Sequence, residues 1–463
     1  MKFRPLYFAI SFCILAASSK AQTITIAFPT AEGFGKYATG GRGGEVIKVT
    51  NLNDDGPGSF RAAVSQKNPR IVVFDVAGTI HLLTKVNILG NITIAGQTAP
   101  GDGICLADQS VGIGGDNIIV RYMRFRLGDK YQNKGMVDLS GDDDAFGGNR
   151  HKNVVIDHCS MSWSNDEVFS IYGGDSTTLQ WNLIAEPLNY SYHFEKGDTD
   201  FEKHGYGGIW GGSHLSAHHN LFAHCVSRNP RFNGARLGAG NEFVDFTNNV
   251  IYNWEHNSVY GGEAGKYNMV NNYYRPGPST AANVNHRIVN PTTNETRGLG
   301  EFYVNGNFVD GNENVSKNNK LGIDIDPKIS DAQKMNAIVS TPFETLPINV
   351  QNPKAAYISI LNHVGASYKR DTMDARIIQD VVQRRGMIID VQGHYTHGTA
   401  YEKTLSAWPT LQLAPAQVDT DNDGMPDAWE IAMGLNPNKA NDHNYELSKL
   451  YTNIEMYLNS ITP

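Results

Sequence analysis

Between about residue 70 and residue 310 the chain alternates short apolar segments with polar, turn-forming ones: RIVVFDV, NITIAG, NIIVRYMRF, NVVIDHCSMSW, TTLQWNLI, HLSAHHNLF, FVDFTNNVIYNW, YNMVNNYY and FYVNGNFV. The segments are rich in β-branched and aromatic residues and bounded by Gly, Asn and Asp, which predicts strands rather than helices. Aligned by apolar pattern, they place Met123, Cys159, Asn182, Asn220, Asn249, Asn272 and Asn307 in one column, at intervals of 36, 23, 38, 29, 23 and 35 residues. The shortest intervals match one coil of a parallel β-helix, and the longer ones a coil plus a loop. Asn side chains stacked at a turn can hydrogen-bond from coil to coil and so satisfy buried polar groups. A β-sandwich also gives short strands, but no reason for Asn to recur in phase with them.

The flanks read differently. Residues 54–66, DDGPGSFRAAVSQ, predict a short helix with Ser59 as N-cap, placed to cover the apolar end of the stack. The glycine-rich stretch 33–44 is followed neither by GKS or GKT nor directly by a helix, so it reads as turns rather than a phosphate cradle. Residues 331–415 lose the strand pattern. Within them 374–386, DARIIQDVVQRRG, predicts an amphipathic helix with Ile377, Ile378, Val381 and Val382 on one side, packed back on the strands. Past residue 415 comes a distinct unit.

Composition narrows the picture. With 47 Gly, 19% charged residues and a net charge of −8, the 463-residue chain is a turn-rich β protein rather than a helical bundle. Lys2 and Arg4 precede the apolar run LYFAISFCILAA, with Ser19 and Ala21 at the −3 and −1 positions of a cleavage site, so 1–21 reads as an export signal. The run is shorter than the roughly 20 apolar residues of a membrane span, and there is no second candidate. Export leaves Cys105, Cys159 and Cys225, an odd number in strand-like surroundings, read as buried free thiols. The basic residues form one cluster rather than a tract, which argues against nucleic acid.

That cluster lies in HHNLFAHCVSRNPRFNGAR, where Arg228, Arg231 and Arg236 fall within nine residues. A local cationic site in an acidic chain suits an acidic ligand, and by residue type Arg228 is a carboxylate clamp. Acidic residues stand in two other places. Asp142, Asp143 and Asp144 precede NVVIDHCSMSW while Asp166 and Glu167 follow it, so one coil brings both groups to the same neighbourhood. Asp157 and His158 inside that strand are read as structural, because neighbours on a strand face opposite sides. Residues 419–430, DTDNDGMPDAWE, place Asp419, Asp421, Asp423, Asp427 and Glu430 at positions 1, 3, 5, 9 and 12 of an EF-hand-like calcium loop. Gly424 falls at position 6, and Met425 offers its carbonyl.

Arg228-Asn229-Pro230-Arg231 resembles the Arg-x-Pro motif of family 1 polysaccharide lyases, the pectate lyases. AFPTAEGFG, TNLNDDGPGSFRAAV, IVVFDVAGTI, NITIAGQTAPGDGI and VVIDHCSMSW resemble segments common to the bacterial members, so the likeness covers roughly residues 27–310. It implies a secreted, right-handed parallel β-helix that cleaves α-1,4-polygalacturonate by Ca²⁺-assisted β-elimination. Arg228 would be the base, Asp144 and Asp166 calcium ligands, and Glu167 a neighbour able to substitute. The assisting Lys of the family precedes a glycine-rich strand such as 204–212. Lys203 holds that place, with Lys196 as competitor because EKGDTDFEK shifts the alignment. Two departures stand out: Ser170 at a third ligand position, and Asn233 where the family has a second Arg, so that Arg231 or Arg236 would take over its substrate contact.

The whole is an all-β chain with a β-helix over 22–330, a flank over 331–415 and a calcium-loop unit over 416–463, expected to act as a monomer on acidic plant cell-wall polysaccharide. Two rivals are a polygalacturonase-type hydrolase, which needs paired carboxylates and an Arg-Ile-Lys element absent here, and a protein that grips acidic glycans without cleaving them.

Overall fold

The computed structural model describes residues 25–138, 141–237, 241–294 and 296–462; the expected export signal lies outside them. Strands that neighbour each other in space are parallel and come from successive coils, so the chain winds as a β-helix with three faces. One face runs from Glu45–Val49 through Lys152–Asp157 and Leu215–His218 to Glu301–Asn305. The second, nine strands long, runs from Gly78–His81 to Phe308–Val309. The third runs from Val86–Ile88 through Phe146–Asn149, Ile209–Gly212 and Arg231–Phe232 to Val289–Pro291. Phe169–Gln180 serves two faces, pairing with Phe146–Asn149 in its first half and with Lys152–Asp157 in its second.

The register shows why the apolar pattern repeats. Val72, Ile94, Val120, Ile156, Leu179, Ala217, Phe246 and Met269 occupy one line of partners along the first face, every one of them fully buried. A slip of one residue would turn this line to solvent, so burial fixes the register. Each coil then leaves the first face through a residue in the left-handed region: Tyr122, His158, Trp181, His219, Asn248 and Asn271, with φ between 52° and 57°. The next residue is the one in the predicted column.

That column is a continuous amide ladder. The Asn220 backbone N–H and Nδ2 both donate to Asn249 Oδ1, at 3.0 and 2.9 Å, and Asn220 Nδ2 also donates to Leu179 O at 2.9 Å. The same bonds link Asn182 to Asn220, Asn249 to Asn272 and Asn272 to Asn307. The ladder begins at Cys159, within the aligned column, and reaches one residue beyond that column, Asn319. The Cys159 N–H donates into Asn182 at one end, and Asn307 donates into Asn319 at the other. Asn319 escapes the alignment because it sits in a 3₁₀ turn, Asn319–Gly322, that closes the stack instead of in another strand. Outside the ladder the left-handed positions stack their rings, Tyr122 on His158 at 4.7 Å and Trp181 on His219 at 4.3 Å.

The expectation that Asp157 and His158 face apart fails at this turn. His158 has φ 52° and brings Nδ1 to 2.7 Å from Asp157 Oδ1. Their structural role stands, since buried Asp157 also binds Arg121 and Gln180 at 2.8 Å each. All three cysteines are buried and free.

Helix Phe60–Val64 covers the end of the stack, with the Ser59 hydroxyl accepting the Ala62 N–H. Helices Pro353–His363 and Thr372–Gln383 lie against the second face through Ile360, Ile377 and Val381. A buried ionic network pins the latter: Arg126 binds Asp371 at 2.7 Å and Asp374 at 2.9 Å, and Arg124 approaches Asp371 at 3.1 Å. The C-terminal residues Met425, Ile454 and Leu458 pack on Ile71 and Val73, outer residues of the first face. No helix among the described residues is long and apolar enough to cross a membrane.

Candidate active site

Residues distant in sequence meet at the turns that lead into the third face. Each turn stacks on the one before, with parallel bridges running from Glu167 to Tyr206 and from Tyr206 to Ser227. Backbone bonds tie the same coils: Ala145 N–H to Glu167 O, Val168 N–H to Tyr206 O, and Gly207 N–H to Ser227 O. One column therefore holds Asp144, Glu167, Tyr206 and Ser227, with Asp166 just before Glu167 and Arg228 just after Ser227. An open cleft lies beside it, lined by Lys85, Ser110, Asp142, Asp143, Asp144, Asp166, Glu167 and Tyr172.

Asp144, Asp166 and Glu167 bring ligand oxygens within 4.8 Å of one another. Asp144 Oδ1 accepts the Glu167 N–H at 3.0 Å, which fixes the two coils together. Burial and the neighbouring Asp166 charge push the Asp144 carboxyl well above the usual range. Burial opposes ionisation of Asp166 as well, but His204, His193 and Arg228 outweigh it and hold that carboxyl below its ordinary value. Asp143 is paired with Lys85 instead. Ser170 is buried, accepts the Ile209 N–H at 3.1 Å and also touches Asp144.

Arg228 leaves its turn with φ 57°, lies over the Tyr206 ring at 4.4 Å and forms an ion pair with Glu167. The aromatic ring and the carboxylate set the guanidinium in one orientation. The other cations are arranged differently. Arg231 pairs with Glu263 at 2.9 Å and lies over Tyr260, a coil further on. Arg236 is exposed in the turn Gly234–Leu237. Asn233, at the place of the second Arg, is buried and donates to Glu242 at 3.1 Å; Glu242 also accepts from Tyr267 and the Gly234 N–H at 2.7 Å each. A guanidinium at residue 233 would displace that bonded set. Lys203 is exposed in the two-residue strand Glu202–Lys203, paired in register with Tyr190, and Lys196 is exposed in the loop before it. Neither lysine is brought against Arg228 by a contact of its own.

The C-terminal loop converges in part. Asp419, Asp421 and Asp423 place carboxylate oxygens within 4.8 Å. Burial, reinforced by Asp423 and Asp421, pushes the Glu430 carboxyl up to about 7. Asp427 turns away from that cluster, accepting the Thr420 N–H at 2.7 Å and the Thr420 hydroxyl at 2.6 Å. The Met425 side chain is fully buried against Ile71 and Val73, so it anchors the loop to the β-helix.

No family model matches the chain. Curated proteins do match over nearly its whole length. It is 36% identical over 465 residues to "Probable pectate lyase C" of Aspergillus fumigatus, with 97% of each chain covered. It is likewise 36% identical over 452 residues to the protein of that name from Aspergillus flavus, covering 95% of this chain and 94% of that one. The chain belongs to the pectate lyase family. A plant relative, "Probable pectate lyase 12" of Arabidopsis thaliana, is 26% identical over 326 residues, 64% of this chain and 62% of that one. These relatives are fungal and plant, so the narrower resemblance to bacterial members gains no support from them. Among solved structures, a pectate lyase bound to a hexasaccharide aligns with TM-score 0.49 and 15% identity over 76% of this chain and 99% of that one. The major allergen of cedar pollen aligns with TM-score 0.49 and 16% identity over 72% and 92%.

In this lyase both acidic clusters suit a hard cation. Asp419 Oδ1, Asp421 Oδ2 and Glu430 Oε2 in one are buried without a hydrogen-bond partner; in the other, Asp144, Asp166 and Glu167 bring carboxylate oxygens together although Glu167 Oε1 pairs with Arg228 and Asp166 Oδ1 with His204. An all-oxygen donor set with unpartnered carboxylate oxygens is what calcium takes. Several site residues were not legible in the sequence. Lys85 lies two coils before Asp144, and only stacking reveals it; Tyr206 and His204 stand in the segment HGYGG, whose glycines draw the eye to backbone turns rather than to the rings between them.

Proposed function

We propose that this polysaccharide lyase cleaves α-1,4-linked polygalacturonate by β-elimination in the cleft beside Arg228, with Asp144, Asp166 and Glu167 holding calcium. The observation that carries the reading is the stack of turns in which an oriented guanidinium stands two coils beyond Asp166 and Glu167 and pairs back to Glu167 across Tyr206. Removing the C5 proton of a uronate builds negative charge next to a carboxylate that already carries one. Bound calcium supplies charge neutralisation for that uronate carboxylate.

The chain's own residues do the rest. Arg228 receives the C5 proton while the electron pair left at C5 forms the C4=C5 double bond and the C4–O glycosidic bond breaks, the leaving oxygen taking a proton from solvent; Tyr206 beneath Arg228 fixes the direction of approach. A guanidinium is protonated in ordinary surroundings, so the role requires that Arg228 be released from Glu167 and surrounded by positive charge. A carboxylate committed to a cation no longer engages Arg228, which links loading of the triad to the freedom of the base. Lys85, at the mouth of the cleft with Asp143, contacts substrate carboxylates, and Arg236 and Lys203 stand exposed to do so further along the chain. Arg231 is held by Glu263, which leaves it a supporting part. The Asp419, Asp421, Asp423 and Glu430 loop holds a second calcium whose part is to fasten the C-terminal unit. The chain acts outside the cell, as its N-terminal sequence implies.

The test is ultraviolet absorbance of polygalacturonate incubated with the protein, with and without a calcium chelator. A rise that the chelator abolishes is the expected result. Growth of reducing ends with no absorbance change would replace elimination by hydrolysis, and neither signal would leave a glycan-binding protein.

A further inference from the structure

Behind Asp166, on the side away from Asp144, lie two buried histidines that the elimination reaction does not use. His193 ends strand Tyr190–His193, and His204 follows its antiparallel partner Glu202–Lys203. Their rings stack at 3.8 Å, 1% and 7% exposed respectively. Neither nitrogen of His193 has a hydrogen-bond partner. A buried imidazole ordinarily finds a partner for at least one nitrogen, and His193, which finds none, is an exception to be accounted for. His204 Nε2 pairs with Asp166 Oδ1 at 2.6 Å, so one imidazole already faces the carboxylate.

We propose that His193, His204 and Asp166 form a second metal site, for a borderline divalent ion of the zinc or cobalt kind. The three offer ligand atoms within 4.8 Å of one another. Two imidazoles with one carboxylate suit such ions, whereas calcium prefers oxygen. The Glu195 carboxylate, 3.8 Å from His193 Nε2 and exposed, completes the set from the loop above. An ion at about 2.0–2.1 Å from each nitrogen turns the two rings out of their stack toward it. The site shares Asp166 with the proposed calcium triad, but its nitrogen ligands make it independent of whether that triad binds calcium.

The test uses Co²⁺ alone, titrated into the full-length, calcium-free protein. The expected result is one saturable visible band of nitrogen-liganded cobalt, with two paramagnetically shifted imidazole N–H resonances. His193→Phe, which keeps a stacked ring, is expected to abolish the band, whereas Asp421→Asn in the oxygen-only loop leaves it unchanged. A wild-type protein with no saturable band, or with no shifted imidazole resonance, overturns the proposal without recourse to any variant; so does a full band in folded His193→Phe protein.

Discussion

At the scale of single residues, the chemistry turns on how one carboxylate is shared. Glu167 binds Arg228 while Asp144 and Asp166 bring carboxylate oxygens within 4.8 Å of its own. Asp166→Asn keeps the size of the side chain and removes a charged ligand, so the calcium concentration for half-maximal elimination should rise at least about tenfold, as loss of roughly 1.4 kcal/mol of binding requires. A titration of activity against free calcium measures this; an unchanged midpoint would take Asp166 out of the triad. The acidic residues and Arg228 were legible because their types and positions matched a known pattern. The pairing of Arg228 with Glu167, and of Lys85 with Asp143, was not, since each joins residues from different coils whose spacing depends on loop lengths. The Asp427 position shows the opposite failure: a perfect linear motif placed it among ligands, and a local bond to Thr420 turned it elsewhere.

At the scale of elements, the Asn ladder is the device that makes irregular loops compatible with a regular stack. Asn249 donates to Ala217 O and Asn272 Oδ1 and accepts from Asn220, all fully buried. Asn249→Ala strands those groups, each at a cost of about 1–3 kcal/mol, so a loss of about 3 kcal/mol is expected by denaturant unfolding. Asn305→Ala, on an exposed side chain one strand further, should fall within about 0.5 kcal/mol. Equal effects would show that the ladder contributes nothing. The ladder was readable because a turn that needs an amide in every coil imposes that residue in phase with the apolar positions. The left-handed residues before it were not, because Tyr, His, Trp and Asn all adopt that conformation here and share no chemical signature. In the C-terminal unit, the Met425 anchor joins the acidic loop to Ile71 and Val73. Calcium should therefore raise the melting temperature by about 2–5 °C through linkage. Asp421→Asn should erase that rise in a thermal melt, and a rise of the same size in the variant would assign the effect elsewhere.

At the scale of the molecule, a solenoid converts sequence distance into stacking. Residues 144, 167, 206 and 227 stack because each lies in the turn before a strand of the third face, and in the proposed reaction that stacking is what brings an acidic triad and Arg228 to one sugar residue. The fold was legible almost throughout, since its repeats announce themselves; the cleft was legible only where a coil happened to carry a recognisable motif. The claim that ties these scales together is that Arg228 is the base, and the most direct measurement is the ultraviolet rate of unsaturated product formation by Arg228→Lys protein at saturating calcium. Lysine keeps the charge but cannot reproduce the planar guanidinium set over Tyr206 and Glu167. The account predicts a loss of about 10²–10⁴-fold in a protein whose melting temperature is that of the parent. A rate within a few-fold of the parent would contradict it.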